Sequence, residues 1–119
     1  MPTLAGFADE MFLPFVRSTS AAKPNTIRFY ENSVTNLKAY AKIASLPIDQ
    51  ITSEAIAAFV AHRQNDQVQV AMVNRDLATL RRIFHLATEW GKVFRILPRV
   101  RLLSGENHRE SHGQGLRWA

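Results

Sequence analysis

The stretch VNRDLATLRRIFHLATEWG, from Val73 to Gly91, sets arginines beside a regular apolar stripe. At about 100° per residue, Val73, Leu77, Leu80, Phe84 and Ala87 fall on one narrow face, with Ile83 and Trp90 at its margin. Asn74, Arg75, Arg81, Arg82 and His85 fall away from that stripe. Guanidinium groups on a helix suit phosphates, and an asparagine amide suits a base edge. The same groups are equally at home in water, because charged helical residues usually form a solvated face.

Other residue types that carry chemistry point to less. His108 and His112 have the spacing that aligns two imidazoles on a helix, but they sit in a glycine-containing tail with no third ligand nearby, so no metal site is expected. His62 and His85 read as helix-surface residues. The run HGQG from His112 is too short for a phosphate cradle, which needs a preceding strand and a following helix. Tyr30 lies on an apolar stripe and Tyr40 belongs to the same helix. Serines and carboxylates are scattered without a base or an orienting partner. Neither an enzyme, a cofactor nor a small-molecule substrate is expected.

The chain has 119 residues, 46% of them hydrophobic, enough for one compact core. Its 15 Lys and Arg outnumber 10 Asp and Glu, a formal charge of +5 that suits nucleic acid or an anionic surface. It has no cysteine, which excludes disulfides, thiolate metal sites and thiol nucleophiles. No apolar run is long enough to span a bilayer, and MPTLAGFADEMF has acids within its apolar run and no basic leader, so a soluble cytoplasmic protein is expected, away from membranes.

Four helices are predicted, near residues 4 to 18, 25 to 45, 53 to 65 and 69 to 90. In the first, Leu4, Phe7, Ala8, Met11 and Phe15 share a face, and Pro14 marks a late kink or the helix end. Asp9 and Glu10 favour packing in a core over lying on a membrane. After the linker STSAAKPN, the second helix carries Ile27, Tyr30, Val34, Leu37, Ala41 and Ala44 as its stripe, with Asn25 or Thr26 placed to cap it. Arg28, Asn32, Thr35, Asn36 and Lys42 form its polar outer face. Thr52 suits the N-cap of the third helix, with Ile51 and Ile56 spaced as a hydrophobic staple. Gly91 closes the fourth. Leu97-Pro98 ends the helical pattern, and the residues beyond read as an extended or disordered basic tail. The predicted core is Phe7, Met11, Tyr30, Val34, Leu37, Ile56, Phe59, Val73, Leu77, Leu80 and Phe84.

Three segments taken in order carry a resemblance: TIRFYENSVTNLKAY from Thr26, LPIDQITSEAIAAFVAHR from Leu46, and VNRDLATLRRIFHLATEWGKV from Val73 followed by LPRV. Together they resemble the N-terminal core-binding domain of the tyrosine recombinases, or phage-type integrases, over Phe7 to about Glu110. The resemblance implies an all-α, four-helix SAM-like bundle with a flexible C-terminal tail, the bundle spanning residues 1–98 and a linker-like basic tail 99–119. It further implies binding to double-stranded DNA, in company with other recombinase protomers, in DNA integration or site-specific recombination. Carried over by position, Thr26 and Arg28 on the second helix and Asn74, Arg75 and Arg82 on the fourth are expected at the DNA, with Lys23 and Arg63 reaching flanking phosphates. The hydroxyl residue that often precedes the Asn-Arg pair in the family is replaced by Met72 or Ala71.

The family continues into a catalytic domain with two arginines, a lysine or histidine, a His-x-x-Arg motif and a nucleophilic tyrosine. SHGQGLRWA does not resemble the start of that domain, and no tyrosine follows Tyr40. A truncated, non-catalytic module is therefore expected. The alternative is a helical protein-interaction module that docks onto a full-length recombinase.

Overall fold

The computed structural model describes residues 1–104. Among these the regular structure is helical, with one isolated β-bridge between Thr3 and Pro47.

Helix α1 begins where the Thr3 hydroxyl oxygen accepts the Gly6 N–H at 3.0 Å. It runs through Leu4–Phe7, a wide π-helical turn Ala8–Phe12, and Leu13–Thr19. Pro14 neither ends nor breaks it. The residue before it, Leu13, donates its N–H five residues back to Ala8, so the wide turn comes just ahead of the proline, which has no N–H to donate. One extra residue in the turn rotates all that follows by about 100°. Phe12, Leu13 and Val16 are buried in consequence, while Met11 and Phe15, expected on the core face, pack half-buried at its edge.

Helix α2, Pro24–Ala39, starts a residue earlier than predicted and has no side-chain cap; Asn25 instead accepts a hydrogen bond from Arg28 at 2.7 Å. The predicted long helix also stops short. Tyr40 leaves helical geometry at φ −98°, ψ 92°, and the chain resumes as a single turn, α3, Ala41–Ala44. The Tyr40 ring stacks on His62 at 4.7 Å and packs against Phe59, so ring packing on the next helix accompanies the break. After it, Ile43 is buried and Ala41 exposed.

A 3-10 turn, Ile48–Gln50, leads into α4, Ser53–Asn65, where the Thr52 hydroxyl accepts the Ala55 N–H at 3.1 Å and both Ile51 and Ile56 are buried. Helix α5, Val70–Glu89, is the central element: Val73, Leu77, Leu80, Ile83 and Ala87 are all fully buried. Gly91 closes it at φ 71°, and the Lys92 N–H reaches back to Ala87 at 2.8 Å. Trp90 beside it packs on Phe7 and Phe15, tying the end of α5 to α1.

Beyond Gly91 the chain does not wander off. Residues 92–104 form an irregular strap that returns along α5, burying Val93 and Val100 and half-burying Leu97, Leu102 and Leu103. The tail expected to be loose from residue 99 is therefore packed through Val100, Leu102 and Leu103; the rest of that expectation concerns residues outside those described.

Candidate nucleic-acid interface

Helices α2 and α5 pack together, and on their outer side lies a cleft of about 310 Å³ lined by Phe29, Asn32, Ser33, Asn36, Met72, Arg75 and Asp76. Its floor is a polar cluster. Asp76, 1% exposed, accepts from Asn36 Nδ2 at 3.1 Å, from Arg63 Nε at 3.1 Å and from Arg63 Nη2 at 2.9 Å. Burial pushes the Asp76 carboxyl above its ordinary value, opposed by the hydrogen bond from Asn36, the charge and hydrogen bond of Arg63, and Ser33. Buried charge is tolerated only when paired and hydrogen-bonded, and this carboxylate joins α2, α4 and α5 at one point.

Arg63 therefore differs from its expected place. Its side chain is only 15% exposed and its fork is committed to Asp76, so it braces α4 against α5 rather than offering a cation to a flanking phosphate.

Asn74 differs more. Expected on the outward basic face, it is buried, at 5% exposure. Its Nδ2 donates to the Leu103 carbonyl at 2.9 Å and its Oδ1 accepts the Leu103 N–H at 2.6 Å. One amide thus latches both backbone groups of the strap, the pairing a base edge was expected to receive. The cause is topological: α5 has a core face and, a third of the way round, a second buried face created by the returning strap.

Arg75 and Arg82 remain outside. Both are exposed, and seven residues apart on a helix they lie on nearly the same line, roughly 10 Å along the axis. Arg75 Nη1 lies against Met72 Sδ at 3.3 Å, at the cleft rim. Neither arginine forms an ion pair among the described residues, whereas Arg17 pairs with Glu31 and Lys38 with Asp9. On the α2 side, Lys23 and Arg28 are exposed and Thr26 half-buried, all within the first turns of the helix. Arg28 and Asn32 stand one turn apart, and Asn32 lines the same cleft as Arg75.

Sequence reading missed Phe29, Met72 and the Asn36–Asp76–Arg63 cluster. A usable signal existed: Asp76 adjoins Leu77 at the edge of the apolar stripe, where a carboxylate needs a partner. No group of histidines and carboxylates able to hold a metal occurs among the described residues, and His108 and His112 lie outside them. No helix among the described residues is long and apolar enough to cross a membrane.

An all-helical domain whose helices α2 and α5 meet at a polar cleft with Arg75 at its edge is the class these features define. The family described as "Phage integrase, N-terminal SAM-like domain" matches residues 10–91, and the chain belongs to it. No curated protein and no solved structure gives a significant match.

Proposed function

We propose that these residues form the DNA-binding module of a tyrosine-type phage recombinase, a module that grips duplex DNA and does not itself cut it. The observation that carries the reading is that Arg75, exposed and without an ion pair among the described residues, lines the α2–α5 cleft, with Arg82 exposed two turns along the same side of α5 and Lys23 and Arg28 exposed at the start of α2. Family membership supports a role in integrase-type DNA binding. Cations on two packed helices can follow a phosphate backbone, while the hydroxyl of Thr26 supplies a neutral donor at the same end. Arg63 and Asn74 act behind this surface, one bracing α5 through Asp76 and the other fixing the strap.

Strand cleavage belongs elsewhere. A nucleophilic tyrosine needs cationic groups around the phosphate it attacks. Tyr30 instead stacks on Phe29 at 5.0 Å and meets Phe12 edge-on at 5.4 Å, and Tyr40 lies against His62 and Phe59.

The test is the salt dependence of binding to a labelled duplex. Phosphate contacts make log affinity fall with log salt, by about 0.9 for each phosphate neutralised. A slope corresponding to several phosphates is expected. Binding that ignores salt contradicts the proposal and favours docking onto another protein.

A further inference from the structure

The strap and α5 enclose a second, larger groove of about 1190 Å³ on another side of the molecule. Phe84, His85, Thr88 and Arg81 line it from α5, and residues 93–104 line it from the strap. Arg81 lies roughly 120° around α5 from Arg75, so this groove and the proposed DNA face look in different directions.

Two properties of the groove need explaining together. Phe94 and Ile96 are 92% and 95% exposed. Single exposed apolar residues are ordinary, but these two flank a bend at Arg95 and both line the same groove, at the rim of an apolar floor. The strap is held open there: Val93 and Val100 are buried on either side, and Arg95 Nη1 donates to the Asp49 carbonyl at 3.1 Å. The second property is charge. Arg81, Arg95, Arg99 and Arg101 all line the groove, and among the described residues no carboxylate does.

These properties choose among occupants. A second copy presenting the same groove would set arginines against arginines, which is unfavourable. Duplex DNA would satisfy the arginines through phosphates and leave Phe94 and Ile96 in water. What fits both is a segment that is apolar on one side and acidic on the other. We propose that the groove is a docking site for an acidic amphipathic helix of another protein, with its apolar side chains seated on Phe84, Phe94 and Ile96 and its carboxylates facing the four arginines. This site is separate from the DNA face and does not depend on it.

The probe is a fluorescent peptide of about four helical turns, with leucines on one face and glutamates elsewhere. Two comparison peptides replace every glutamate by lysine, or every leucine by serine. The full chain should bind the first and neither of the others. The double variant Phe94→Ser, Ile96→Ser should weaken binding about tenfold or more. Since both side chains are almost fully exposed, its unfolding midpoint should match that of wild type. Failure of the glutamate peptide to bind, or equal binding by the double variant, overturns the proposal. So does displacement of the peptide by duplex DNA with shifts of the Phe94 and Ile96 amide resonances, which would assign the groove to nucleic acid.

Discussion

At the scale of single residues, Asp76 sets two opposing effects against each other. Burial favours its neutral form, and Asn36, Arg63 and Ser33 favour its charged form, with burial the larger. A carboxyl whose folded pKa is raised holds its proton after the unfolded chain has released it. The stability this residue contributes is therefore greatest below the ordinary aspartate value of 3.8 and is lost as pH rises through the folded value. Comparing urea midpoints of wild type and Asp76→Asn across the acid range should show wild type losing ground as pH rises. If wild type gains instead, the Arg63 pair outweighs burial. Asn74 makes a separate prediction. Removing its amide leaves the Leu103 N–H and carbonyl without that partner, so Asn74→Ala should cost on the order of 1–3 kcal/mol and speed hydrogen exchange at the Leu103 amide. Unchanged exchange would mean that the latch does not hold the strap. Neither role was legible in sequence. Periodicity distinguishes the core face of a helix from the remainder, but it cannot tell solvent from a strap that returns from twenty or more residues downstream.

At the scale of elements, the strongly periodic segments were the readable ones. The stripe Val73, Leu77, Leu80, Phe84 is buried as its spacing implies, and the Thr52 cap, the Ile51–Ile56 staple and the Gly91 stop all occupy their expected places. Leu80→Ala, at a site with no exposure, should cost about 2–5 kcal/mol in chemical denaturation, and a loss below roughly half a kilocalorie would mean that α5 does not present this face to the core. Failures came where the helix itself departed from regular geometry. The π-helical turn before Pro14 shifts the buried face of α1 from Met11 to Phe12, and the break at Tyr40 accompanies rings stacking between elements. A fixed 3.6-residue period cannot register either event. The ion pairs Arg17–Glu31 and Lys38–Asp9, which join α1 to α2, are exposed and worth about 1 kcal/mol or less each. The α1–α2 packing rests instead on apolar and aromatic contacts such as Phe12 on Tyr30.

At the scale of the whole molecule, the surfaces are divided around a buried centre at α5: a cation-bearing edge where α2 meets α5, and an apolar, arginine-lined groove under the strap. Incubation with supercoiled DNA should yield neither nicks nor a covalent protein–DNA adduct. A phosphotyrosyl bond at Tyr30 or Tyr40 would contradict the separation of gripping from cutting. The central claim, that the Arg75–Arg82 line faces phosphates, is tested most directly by titrating a labelled duplex at several salt concentrations. The proteins to compare are wild type, Arg75→Ala, Arg82→Ala and, as a control of equal charge change at an exposed position of α3, Lys42→Ala. Each arginine variant should bind more weakly to all sequences and lower the salt slope by about one unit, with the lysine variant close to wild type. Arginine variants that keep the wild-type affinity and slope would show those guanidinium groups to be a solvated face.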